Sequence, residues 1–199
     1  MQPIRRFKNI LRSARQQWGS TKSRQSLWNT EYAGGRWAHC ENTQGDCVYP
    51  YIHKYCHNGS ILDLGCGSGN TANELDVDKY HDYTGVEISD VALEQARRRS
   101  EQANRVDKNQ FVTSDITKFA PLKKYDAILF RDSIYYIPRP RIKATLDRYS
   151  QYLTEGGVFI VRLNHRESYE KIVNIIENNY KILDKYSPDS TSPIVLVFR

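Results

Sequence analysis

Three glycines at alternate positions, Gly65, Gly67 and Gly69, close the run Ser60-Ile61-Leu62-Asp63-Leu64, and this junction narrows the folds open to the chain more than any other stretch. A short apolar run with β-branched Ile61 that breaks into a Gly-rich turn and then a helical pattern reads as strand, ligand-cradling turn and helix. Residues with a Cβ resist positive φ, and a side chain there would hold a ligand off the backbone. The spacing restricts the ligand. A dinucleotide fingerprint needs its third small residue where this chain has Asn70, and no Gly-Lys-Ser/Thr follows to make a phosphate loop. The third glycine is Gly69 instead, and an acid, Asp63, stands two residues before the first.

Four further stretches follow downstream. The strand pattern Tyr83-Thr84-Gly85-Val86-Glu87-Ile88 carries an acid 18 residues beyond Gly69. A carboxylate at the carboxyl end of such a strand can accept hydrogen bonds from both hydroxyls of a ribose. Next come Phe111 to Ile116 with Asp115, Tyr125 to Phe130 running into Arg131-Asp132-Ser133-Ile134-Tyr135-Tyr136, and the turn Gly156-Gly157 leading into Val158-Phe159-Ile160-Val161. Helical patterns lie near 46–57, 70–77, 90–104 with Ser89 as N-cap, 139–153 and 166–178, and two strand patterns, 180–186 and 194–198, end the chain.

Together these motifs, over roughly residues 60 to 163, resemble those of class I S-adenosylmethionine-dependent methyltransferases. The resemblance implies an α/β fold: a Rossmann-like, seven-stranded, mostly parallel sheet with helices on both faces and an antiparallel C-terminal strand pair. It implies S-adenosylmethionine as cofactor and S-adenosylhomocysteine as product. Asp63, Gly65, Gly67 and Gly69 would cradle the methionine part, Glu87 would hold the ribose, and Ile88 with Ile116 would sandwich the adenine. Asp115 would bond the adenine edge, and the backbone of Arg131 would meet the methionine amino group. The helix after the loop would aim its first amides at the cofactor's carboxylate.

A sulfonium is already a good leaving group, so methyl transfer asks mainly for placement of a nucleophile and, for a hydroxyl, removal of its proton. His165, after the fifth strand pattern, and Asp132 and Tyr136, after the fourth, are the catalytic candidates at the edge where such sheets bind ligands. Tyr32, Arg36, Trp37 and Tyr135 are the candidates for an acceptor pocket or lid. Trp18, Trp28 and Trp37 all precede the first strand, and Gly34-Gly35 offers a hinge among them. The Asn/Asp-Pro-Pro-Tyr signature of enzymes that methylate exocyclic amines is replaced by Arg131-Asp132-Ser133-Ile134, which counts against nucleobase N-methylation. The expected acceptor is a small molecule, with O-methylation of a sugar or other polyhydroxylated metabolite ahead of N-methylation. An RNA methyltransferase and a cofactor-binding protein without catalysis are the alternatives. His53, Cys56 and His57 cluster in sequence, but no further ligand follows at a recognisable spacing, so no metal is expected.

Charge divides the 199 residues. The net charge is +6, yet residues 1–30 hold seven arginines and lysines and no acid, which leaves the remainder at −1. The chain is therefore expected to be a basic N-terminal helix and aromatic lid segment, 1–45, ahead of a methyltransferase domain, 46–199. Ile4, Phe7, Ile10, Leu11 and Ala14 recur at helical spacing among arginines. That helix could dock its apolar stripe on the domain, lie on an anionic membrane surface or touch nucleic acid, the last being the least favoured because aromatic interleaving is lacking. An Arg-rich, acid-free beginning also resembles a transit peptide. With 39% apolar and 26% charged residues, and no run near the roughly 18 apolar residues of a membrane span, the chain reads as globular and soluble. Cys40, Cys47, Cys56 and Cys66 form no Cys-x-x-Cys pair, which fits a reducing, cytoplasmic location. Oligomeric state is not legible.

Overall fold

The computed structural model describes residues 2–199; for residues 2–8 the description is of the helical backbone alone. Seven strands make one sheet: β1 (Ser60–Leu64), β2 (Asp82–Glu87), β3 (Asn109–Thr113), β4 (Tyr125–Arg131), β5 (Leu153–Leu163), β6 (Ile182–Tyr186) and β7 (Ile194–Phe198). Their spatial order is β3-β2-β1-β4-β5-β7-β6. The first five pair in parallel, and β7 runs antiparallel to both β5 and β6. The expected Rossmann-like sheet with its antiparallel end is therefore present.

Alternation along the central strands builds two cores. In β4, Ile128 and Phe130 face one side, where they pack with Ile142, Leu146 and Tyr149 of α6 (Arg139–Ser150) and with Ile172, Val173 and Ile176 of α7 (Glu170–Asn179). Ala127 and Leu129 face the other side, with Ile52 and Cys56 of α3 (Tyr49–Cys56), Ala72 of α4 (Asn70–Glu74) and Leu93 of α5 (Asp90–Gln102). Each such side chain taken fully out of water contributes about 1.5–3 kcal/mol, so the sheet is held from both faces. Ser89 caps α5, its Oγ accepting from the Ala92 amide at 3.2 Å. α4 is shorter than the spacing predicts: it ends at Glu74, because Leu75 turns to extended backbone (φ −58°, ψ 145°) and is buried in the core.

Ahead of the sheet lie α1 (Gln2–Trp18) and α2 (Thr21–Ala33). The second helix was not apparent from hydrophobic spacing. It starts at Ser20, whose Oγ accepts from the Ser23 amide, and stops at Gly34, with Gly35 in the left-handed region (φ 68°). The positions that it buries are Arg24, Trp28 and Glu31. They share one helical face, but two of the three are charged, so an apolar pattern does not reveal it.

Candidate functional site

The crossing from β1 to the glycine loop is set by backbone conformation. Gly65, Gly67 and Gly69 have φ of 88°, 55° and 76°, all in the left-handed region. Space restricts them as well. A Cβ on Gly65 would lie 2.5 Å from Cβ of Ser133, and one on Gly69 would lie 2.7 Å from Cβ of Ala96 in α5. At Gly67 the nearest atom is the Tyr32 hydroxyl, 2.6 Å from such a Cβ, so α2 reaches over the loop.

Above the loop is a cavity of about 440 Å³. Of the residues singled out from the sequence, it brings together Asp63, Gly65, Gly67, Glu87, Ile88, Ile116, Arg131, Asp132, Tyr135, Tyr136, Tyr32 and Trp37. Gly69, expected with them, does not line it. The Glu87 carboxylate accepts from the Ile88 and Ser89 amides at 2.8 and 2.9 Å and from the Gly67 amide at 3.2 Å. A carboxylate has about four acceptor positions, so roughly one remains for a ligand unless the Gly67 amide lets go. Burial raises the Glu87 pKa, and the three amides partly offset it. Asp63 is fully enclosed: the Tyr83 hydroxyl donates to one oxygen at 2.6 Å, the other has no partner, and burial pushes the carboxyl up to about 6.

Asp115 does not take the place expected for it. Its four acceptor positions are filled by the Thr117 amide at 2.9 Å and Thr117 hydroxyl at 2.8 Å on one oxygen, and by Arg24 Nη1 at 2.8 Å and the Thr21 hydroxyl at 3.2 Å on the other. Burial opposes ionisation, but these donors outweigh it and hold the Asp115 carboxyl below its usual range. No acceptor position is left over for an adenine edge. Arg24, itself buried, lines the cavity there instead, and its Nε has no partner.

Two more expectations are corrected. His165 is exposed, with its Nδ1 2.6 Å from the Thr191 carbonyl oxygen, and it does not line the cavity. The loop between β6 and β7 takes up that imidazole, and the preceding residue, Asn164, faces the cavity in its place. Arg36 is likewise outside: its side chain is 53% exposed and stands 3.8 Å from Glu31.

The far end of the cavity holds a chain of alternating charges that sequence spacing did not reveal. Asp46 accepts from Arg131 Nη2 at 3.0 Å and pairs with Arg162 Nη2 at 3.3 Å, while Arg162 Nη1 donates to Asp132. Burial works against ionised Asp46, yet the two arginines win and lower its pKa. At Asp132 burial wins, and the carboxyl is raised in spite of Arg162 and Arg131. Asp132 also has φ 52°, a conformation costly for a residue with a Cβ and one that concentrates at functional sites. Its second oxygen has no partner. Above this network Trp28, Trp37 and Tyr136 form an aromatic roof, with Trp28 5.6 Å from Trp37 and edge-on to Tyr136 at 4.8 Å between centroids. Burial raises the hydroxyl pKa values of Tyr32, Tyr135 and Tyr136, so these phenols keep their protons near neutral pH.

A glycine loop at the carboxyl end of β1, an acid at the end of β2 and a parallel sheet reversed only at β7 define a nucleoside-cofactor-binding α/β domain. Residues 61–157 match the family described as methyltransferase domain. The carboxy-S-adenosyl-L-methionine synthase of Desulfotalea psychrophila is 28% identical over 130 residues, 62% of this chain and 53% of that protein. Trans-aconitate 2-methyltransferase of Rhodopseudomonas palustris is 33% identical over 107 residues, 53% of this chain and 38% of that protein. The chain thus spans about half or less of the length of these curated relatives. Among solved structures, the N-methyltransferase NodS from Bradyrhizobium japonicum in complex with S-adenosyl-L-homocysteine superposes with a TM-score of 0.69 at 15% identity, covering 88% of this chain and 97% of that one, a likeness of fold. By the match over residues 61–157 the chain is similar to methyltransferase domains, and its sheet has the fold of an S-adenosyl-L-homocysteine-bound N-methyltransferase.

Proposed function

We propose that this protein transfers the methyl group of S-adenosylmethionine to a small-molecule acceptor and releases S-adenosylhomocysteine. The observation that carries this reading is the trio of left-handed glycines beneath a cavity that also holds the Glu87 carboxylate. Asp63, with one oxygen unpartnered, and Gly65 and Gly67 would hold the methionine part, Glu87 the ribose, and Ile88 and Ile116 the adenine faces. The cofactor, when bound, supplies an activated methyl group on a sulfonium. Arg24 takes over the adenine end from Asp115, with residues 1–45 acting as arm and lid on the domain formed by 46–199.

The acceptor lies at the end lined by Arg131, Asp132, Arg162 and Asn164 beneath Tyr135 and Tyr136. So polar a lining suits a hydroxylated metabolite, and Asp132 is the group best suited to take a hydroxyl proton, which favours O-methylation over N-methylation. The roles of Tyr135 and Tyr136 are to position and to exclude water. Calorimetric titration with S-adenosylmethionine tests the cofactor, with Gly67→Arg as the variant that fills the loop. Saturable binding lost in the variant supports the reading, and no binding by the unmutated protein overturns it. Release of S-adenosylhomocysteine across a panel of hydroxylated and amino acceptors then tests transfer. Affinity without turnover on any acceptor would leave a cofactor-binding protein.

A further inference from the structure

α1 sits on the protein the wrong way round for an amphipathic helix. Such helices turn their apolar stripe to the core and their charges to water. Among the residues of α1 whose side chains are described, the most deeply buried is Gln16, 3% exposed, and the neighbouring contacts are polar. Arg12 forms a two-pronged ion pair with Glu31 of α2, Gln17 Nε2 donates to the Tyr135 carbonyl at 3.0 Å, and Arg15 donates to the carbonyl and hydroxyl oxygens of Ser23. The apolar side points away. Ile10, Leu11 and Trp18 are 59%, 54% and 60% exposed, and Ala14 between them is exposed too. At 100° per residue, positions 10, 11, 14 and 18 fall on one face. Ile4 and Phe7 fall in the same spacing; their side chains lie outside the described residues. The first of the three readings of this helix, docking of its apolar stripe on the domain, is therefore not what the structure shows.

We propose that this outward stripe is a docking surface for an anionic lipid bilayer. Three observations favour that occupant. An exposed apolar stripe of large side chains is unfavourable in water unless something covers it. The segment that carries it, residues 1–30, has seven basic residues and no acid; Arg12 and Arg24 are paired with Glu31 and Asp115, and the charge of the other five complements anionic headgroups and repels the same helix of a second copy. Trp18, whose amphipathic ring suits the headgroup level, stands at the end of the stripe. RNA fits less well, because the face turned outward is aliphatic while Arg12 and Arg15 are turned inward onto Glu31 and Ser23. No helix among the described residues is long and apolar enough to cross a membrane, so the contact is peripheral. Through Arg12, Gln17 and Tyr135 the bilayer surface lies next to the roof of the cavity rather than behind the sheet.

The test uses the full chain without cofactor or acceptor, so that its outcome is independent of methyl transfer. Co-sedimentation is measured with vesicles of phosphatidylcholine alone and of phosphatidylcholine with phosphatidylglycerol, at low and high salt, beside the variant Ile10→Ser, Leu11→Ser, Trp18→Ser. Binding to the anionic vesicles only, weakened by salt and lowered about tenfold or more in the triple variant, is the expected result. Circular dichroism and S-adenosylhomocysteine affinity of the variant should match the unmutated protein, since the three side chains lie outside the core and the cavity. Vesicle binding that is absent, or that survives the triple substitution, overturns the proposal. So does stripe-dependent binding to single-stranded RNA without vesicle binding, or stripe-dependent self-association in its place.

Discussion

Arg24 of α2 donates to Asp115, 91 residues further along the chain, over 2.8 Å, and both side chains are buried. The pair fastens the N-terminal arm to the loop after β3, at the end of the cavity proposed for the adenine. Replacing Arg24 by Leu leaves a buried carboxylate with only the two threonines, and breaking a buried pair from one side costs about 3–5 kcal/mol. The expected outcome is a chain that still folds around its sheet but binds S-adenosylmethionine at least about tenfold more weakly by calorimetry, because α2 no longer closes that end. Unchanged affinity would remove Arg24 from the cofactor site.

Asp63 gives stability an unusual dependence on acid. Burial sets its folded pKa at about 6, above the ordinary 3.8 that an unfolded chain restores. The native state therefore holds the proton more tightly, and stability falls as pH rises from about 4 to 6 by roughly 3 kcal/mol, with no further loss above that window. Glu87 is shifted in the same direction and adds to the fall. In Asp63→Asn the Asp63 share disappears. Urea denaturation across this range should show a shallower decline for the variant, and parallel curves would refute the assignment.

If Asp132 takes the acceptor's proton, it must be ionised to act, so turnover falls as pH drops through its burial-raised pKa. Asp132→Asn should lower kcat by about 10²-fold or more while cofactor affinity holds, and asparagine tolerates the left-handed backbone of this position. His165→Ala, by contrast, should leave turnover unchanged, since its ring is engaged by the Thr191 carbonyl and does not line the cavity. Steady-state rates over a pH series for the two variants separate these roles.

Trp28 packs on Trp37 within the arm and joins the arm to the rest of the chain through its edge-on contact with Tyr136. Truncating a buried tryptophan to alanine costs about 3–5 kcal/mol, a fall in Tm of roughly 10 °C in a protein of this size. Thermal unfolding of Trp28→Ala followed by circular dichroism checks this. A change of only a degree or two would mean that the roof is not part of the cooperative unit.

The inward face of the arm is set by partners remote in sequence. A helix that buries Arg24, Trp28 and Glu31 satisfies its charges with Asp115 and Arg12, residues remote in sequence, so no local pattern announces which face is inward. Asp115 itself is legible as a strand-end acid, but its saturation by Thr21, Arg24 and Thr117 depends on where α2 lies. His165 stands at the expected sheet edge and is taken up by a loop whose path the sequence does not define. The Asp46–Arg162–Asp132 chain joins three segments that share no spacing rule.

What the sequence determined by itself is the part governed by short-range rules. Alternating apolar runs define the strands, and three glycines where no Cβ can go define the turn. Together with Glu87 they give the sheet, the cofactor class and the cradle proposed for it. Which face of α1 and α2 turns inward, and which acids remain free to meet a ligand, was decided only by tertiary structure. Those outcomes rest on pairing between charged groups far apart in the chain, and the energy of such a pair depends on distance and burial that no local sequence pattern encodes.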